Sequence, residues 1–225
     1  MLHTTLGATL CLQVSMVARQ MLASMEGNPR PTRAEMTDVA NAVFESADAL
    51  VLGDETATGK FPVDAVHTMA RILANAEEAT NYYAAHSFMR DMAAKPFNTL
   101  ENTASCLSRT SMEADVCAVV TITQAGEVAQ TVCKYRPQVP QLVLTTDAGL
   151  AAALGIYFGA TGICWAGANG AISQVHAAVK HAMDVAAERG IDMGKSTGRS
   201  VAVLHGREQL CADEEPVLSI VENLV

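Results

Sequence analysis

Apolar and polar positions alternate between two periods along this chain, and the alternation predicts an α/β architecture. Residues 10–18 form a short apolar run interrupted by Gln13 and Ser15, which predicts a buried strand. Residues 19–25 read as a loop or single helical turn, and residues 32–45 have helical spacing. Residues 46–52 are a near-continuous apolar run, as in a strand buried on both faces, and residues 53–59 are the loop at its C-terminal end. Pro62 suits the first position of the next helix, which runs from Val63 to about Tyr82. That helix is expected to bury Val66, Met69, Ala70, Leu73 and Ala76 on one face.

Between residues 83 and 98 the pattern breaks, with Pro96, mixed charge and no apolar period, so this stretch is expected to link two domains. Alternation then resumes. Helices are predicted over 100–111, 126–135, 148–154 and 172–188. Strands are predicted over 114–122, 141–146, 162–166, 200–204 and 217–221. No internal repeat is visible, and the pattern describes a second, small, layered α/β domain with a mostly parallel sheet.

One turn stands out. Asn28, Pro29, Arg30, Pro31, Thr32, Arg33, Ala34 and Glu35 are consecutive. The two prolines fix φ and remove backbone donors, so the turn is stiff. Thr32 can cap the helix that follows, and Glu35, three residues on, can close a capping box.

Composition narrows the function classes. Hydrophobic residues make up 50% of the chain and aromatics 4%, so the core is built from Ala, Val, Leu, Ile and Met. A net charge of −9 with no Lys/Arg-rich run excludes a nucleic-acid partner. Cys11, Cys106, Cys117, Cys133, Cys164 and Cys211 form no CxxC pair and no zinc spacing with histidine, which predicts free thiols in a reducing compartment and no metal site. The first 25 residues carry one arginine and no acid, too little positive charge for a convincing mitochondrial presequence. Residues 6–18 are too short and polar to span a bilayer. The expected compartment is the cytoplasm, with the mitochondrion as the alternative, and a misjudged start of the frame would also explain this segment.

Other motifs fail on spacing. Residues 190–196 miss a phosphate-binding Walker loop by one position and follow a helix instead of a strand. Gly167 and Gly170 lack the rest of a dinucleotide fingerprint, and His176 and His181 are five apart, a poor metal spacing on a helix.

Three strings carry a resemblance. Residues 19–43, built around the Asn28–Glu35 turn, resemble the late-barrel segment of pyruvate kinase. So do residues 47–63, which include Gly53, Asp54, Glu55, Thr56, Ala57, Thr58, Gly59, Lys60 and Pro62. Lys134, Tyr135, Arg136 and Pro137 before a strand are similar to the family's C-terminal domain. The resemblance implies a partial (β/α)8 barrel over residues 18–82, a linker over 83–98 and an α/β C-terminal domain over 99–225, with residues 1–17 unmatched.

The family transfers a phosphoryl group between phosphoenolpyruvate and ADP, using magnesium and potassium. Its catalytic lysine, metal-binding carboxylates and substrate arginine lie upstream of the matching region, so no catalytic residue and no cofactor is expected for this chain alone. Remnants of the active-site loops are Arg19 and Gln20, where the family has a threonine in place of Arg19, and Asp54 and Glu55. The family's effector loop, which often binds a phosphorylated sugar, corresponds to residues 123–127. Thr123 and Gly126 remain there, and Glu127 would repel phosphate. Asn28, Arg30 and Arg33 fall where the family places a subunit contact. The expectation is a pyruvate-kinase-like chain without turnover of its own. The alternative is a non-catalytic structural or scaffold subunit, and either needs a protein partner or a second copy.

Overall fold

The computed structural model describes residues 7–191 and 200–222. The chain divides into two compact units between Asn81 and Tyr82.

In the first unit, β1 (Met16–Ala18), α1 (Arg33–Phe44), β2 (Ala49–Val51), the single turn α2 (Asp54–Ala57) and α3 (Pro62–Ala79) follow one another, with a 3-10 turn at Ala23–Glu26. β1 and β2 pair in parallel, Met16 opposite Ala49 and Ala18 opposite Val51, with α1 as the crossover. Val17, Leu22, Met25, Val39, Ala42, Ala65 and Met69 form its core.

Three expectations shift here. The strand expected over 10–18 shrinks to its last three residues, and residues 7–10 are helical. Polar groups explain the loss: the Ser15 N–H and hydroxyl donate to Asp48 Oδ2 at 2.9 and 3.1 Å instead of continuing a ladder. Likewise only Ala49–Val51 of the 46–52 run is strand, and part of the 53–59 loop is helical. On α3, Met69 and Ala76 are buried and Leu73 packs on the core as expected, while Ala70 is exposed and the first turn differs. Ala65 is fully buried and Val66 is 52% exposed, so the small residue faces the core.

The second unit contains α4 (Tyr82–Met92), α5 (Thr99–Glu113), β3 (Val116–Ile122), α6 (Glu127–Lys134), β4 (Gln141–Thr145), α7 (Ala148–Leu154), β5 (Ala160–Cys164), α8 (Val175–Glu188), β6 (Ser200–Gly206) and β7 (Pro216–Val221). The strand order is β5-β4-β3-β6-β7, parallel throughout except for the antiparallel pair β6 and β7. Alternate side chains of β3 serve opposite faces. Ala118, Val120 and Ile122 pack with Ala178, Val179 and Ala182 of α8. Val119 packs with Leu107 of α5 and with Val128 and Val132 of α6. The result is a three-layer α/β domain.

The stretch expected to be patternless is largely helix. α4 buries His86 and Met89, and a histidine does not register as part of an apolar stripe. It can be buried because its Nε2 meets the Ser105 carbonyl at 3.0 Å on α5. The strand expected at 162–166 begins at Ala160, and the helix expected from 172 starts with a 3-10 turn at Ile172–Gln174. His176 is exposed and His181 stacks on Trp165 with ring centroids 5.6 Å apart. The Walker-like stretch lies mostly outside the described residues. Among the described residues, no helix is long and apolar enough to cross a membrane.

Candidate functional site

The two parallel strands of the first unit end in short loops. Arg19 and Gln20 follow β1, and both are exposed in the left-handed region at φ 70° and 55°. Non-glycine residues adopt that conformation at a cost, and such strain gathers at functional loops. Arg19 supplies a guanidinium, which cannot mimic a hydroxyl in size or proton exchange. After β2, Asp54 is exposed while Glu55 is 3% exposed, and Glu55 Oε2 accepts the Gly53 N–H at 2.7 Å. Gly59 closes this turn, since a Cβ there would meet the Glu55 carbonyl oxygen at 2.4 Å.

Glu55 is turned back onto its own backbone. Among the described residues, no three His, Cys, Asp or Glu side chains converge.

The proline turn is built on Glu35. Its Oε1 accepts the Ser24 N–H at 2.7 Å, and its Oε2 accepts the Ser24 hydroxyl at 2.5 Å and the Thr32 N–H and hydroxyl, each at 2.8 Å. The capping box is complete, because the Glu35 N–H donates to Thr32 Oγ1 at 3.3 Å. Burial pushes the Glu35 carboxyl up, but the hydrogen bonds from Ser24 and Thr32 outweigh it and hold it at about 2. Asn28 donates to the Ser24 carbonyl at 3.1 Å. Arg30 and Arg33 are exposed, and among the described residues neither joins an ion pair.

The stretch Lys134–Pro137 ties α6 to α5. Lys134 Nζ lies 2.6 Å from Glu101 Oε1, and the Tyr135 hydroxyl donates to the same oxygen at 2.5 Å. Burial first, then Glu101, pushes the Tyr135 phenol upward.

Residues 123–127 make the turn from β3 into α6. Gly126 is its left-handed residue at φ 86°, and Glu127 is exposed in the first helical turn. The turn already holds a carboxylate. Asp213 Oδ1 accepts the Thr123 hydroxyl at 2.5 Å, and Oδ2 accepts the N–H groups of Gln124 and Ala125 at 2.8 and 2.9 Å. Burial pushes the Asp213 carboxyl up, and these hydrogen bonds more than reverse that, leaving it below the usual carboxylate range. Sequence reasoning missed Ser24 and Asp213. Ser24 lies 11 residues from Glu35 and Asp213 lies 90 from Thr123, and neither carries a local signal.

Known proteins share the sequence and fold of both units. Residues 8–66 match the family model for the pyruvate kinase barrel domain, and residues 101–212 match that for the pyruvate kinase alpha/beta domain. A pyruvate kinase of Bacillus licheniformis is 36% identical over 177 residues, covering 79% of this chain and 28% of that enzyme. Pyruvate kinase 2 of Saccharomyces cerevisiae is 41% identical over 142 residues, covering 63% of this chain and 28% of that one. The crystal structure of a pyruvate kinase from Cryptosporidium parvum superposes with a TM-score of 0.84 at 29% identity, covering 98% of this chain and 42% of that chain. This chain therefore spans less than half the length of these relatives. With both domain models matched in order and the fold shared, the chain belongs to the pyruvate kinase family.

Proposed function

We propose that this chain supplies the last two βα units of a pyruvate kinase barrel and the C-terminal domain, and that the 225 residues alone do not transfer phosphoryl groups between phosphoenolpyruvate and ADP. One observation carries the reading: β1 and β2 are the two barrel strands present among the described residues. Barrel active sites collect side chains from many strand ends. Here the loops after β1 and β2 offer an exposed guanidinium at Arg19 and a sequestered carboxylate at Glu55. A lone guanidinium can offset phosphoryl charge, but two loops cannot assemble the set of groups that positions both substrates for transfer. A coupled assay for ADP-dependent pyruvate formation by the purified chain tests this. No turnover is expected, and measurable turnover would overturn the reading.

A structural role as a partner-seeking subunit is favoured by one further observation. On the sheet of the first unit, Val17 is buried while Met16 and Val51 are 55% and 43% exposed. In a closed barrel that face is filled by side chains from other strands. Arg30 and Arg33, exposed on the stiff turn, are the proposed edge of such a contact. The free thiols support a reducing compartment such as the cytoplasm.

A further inference from the structure

We propose that the Asp213 carboxylate is this chain's own occupant of the anion cradle at residues 123–126, and that its occupancy closes the loop to external phosphoryl groups. A strand-to-helix turn binds phosphate by aiming free N–H groups and hydroxyls at it. Here each of those donors is committed. The Thr123 hydroxyl and the Gln124 and Ala125 N–H groups donate to Asp213, and the Gly126 N–H donates to Thr123 Oγ1 at 2.9 Å. A phosphate oxygen entering the turn would have to displace a carboxylate from three donors at once.

That carboxylate is delivered by a pinned segment. The Ala212 N–H donates to the Ile122 carbonyl at 2.8 Å, and the Leu210 N–H to the Gly170 carbonyl at 3.0 Å. Leu210 and Ala212 are fully buried. The Cys211 thiol adds a fourth donor to Asp213 Oδ2 at 3.2 Å. A tethered anion competes at high effective concentration against a free one. The neighbouring surface adds repulsion. A cavity of about 480 Å³ beside the turn is lined by Glu208, Asp213, Glu214 and Glu215, with Arg207 as the one cation among its lining residues. A dianion approaching this surface meets net negative charge.

Titrating the full chain with inorganic phosphate, while following the amide resonances of residues 124–126, tests this. Asp213→Ala is expected to bind phosphate at least about tenfold more tightly than the unmodified chain. Glu127→Gln is expected to gain less than Asp213→Ala, because it removes repulsion but leaves the turn occupied. Saturable shifts at 124–126 in the unmodified chain, with an affinity matching the Asp213→Ala variant, would overturn the proposal. So would a folded Asp213→Ala variant that shows no saturable shifts. A gain in Glu127→Gln equal to that in Asp213→Ala would also overturn it, because charge beside the turn and not occupancy would then be the barrier. If Asp213→Ala fails to fold, Asp213→Asn keeps the volume and removes the charge. It too must exceed the unmodified chain, or the proposal is wrong.

Discussion

The carboxylate of Glu35 accepts hydrogen bonds from Ser24 and Thr32 together, so a single side chain joins the 3-10 turn before the prolines to the helix after them. Its pKa falls from the ordinary 4.5 to about 2 on folding. A carboxyl depressed in the folded state stabilises above its unfolded value and loses that contribution as pH falls through its folded value. Glu35→Gln is therefore expected to cost about 1–2 kcal/mol at neutral pH. It should also flatten the loss of stability between about pH 5 and pH 2, which is the window between the two pKa values. Urea melts of both proteins across that range measure the slope. An equally steep acid limb in the variant would show that Glu35 is not the titrating group. Gly126 makes a separate case. Its φ is 86°, and a Cβ there would lie 2.9 Å from Leu150 Cδ1. Gly126→Ala should destabilise the second unit by about 1–2 kcal/mol, since both the left-handed backbone and the close contact oppose a methyl group. A denaturation midpoint unchanged by this substitution would contradict it.

At the scale of elements, local chemistry was legible and distant chemistry was not. The Thr32–Glu35 box spans three residues, so α1 could be placed within a residue at each end. The parallel strands of the second unit were legible because burial on both faces leaves unbroken apolar runs, as in β3, whose residues are all buried. α4 was illegible because its packed face uses His86, whose partner Ser105 lies 19 residues away. The two terminal loops of β1 and β2 were placed from sequence, but the turning of Glu55 onto Gly53 depends on side-chain direction that spacing does not encode. The α5–α6 tie shows how a sequence string becomes structure. Lys134, 7% exposed at its side chain, and the buried Tyr135 share the single carboxylate of Glu101. Glu101→Ala should cost about 3 kcal/mol, because it strands a largely buried ammonium. The double variant Glu101→Ala with Lys134→Met should recover much of that loss. Additive costs in this double-mutant cycle would mean that the pair is not coupled.

For the whole molecule, the two units differ in how completely they bury their sheets. The five-stranded sheet of the second unit has helices on both faces, with α8 on one and α5 and α6 on the other. The two-stranded sheet of the first unit packs Val17 against its helices and leaves Met16 and Val51 on the open face. Two parallel strands rarely stand alone, since parallel sheets are ordinarily covered on both sides. An open apolar face, with a strand edge unpaired among the described residues, is a surface that a further chain can cover. The purified chain is therefore expected to elute above its monomer mass of 23.7 kDa in size-exclusion chromatography with light scattering. Replacing Met16 and Val51 by lysine should shift the population towards monomer, because charges at the centre of a buried contact are costly to desolvate. These positions are largely exposed in the single chain, so the melting of the second unit should be unaffected. A well-behaved monomer before substitution would remove the need for a partner. An oligomer that survives both lysines would move the contact elsewhere, with the exposed Arg30 and Arg33 of the proline turn as the next positions to reverse in charge.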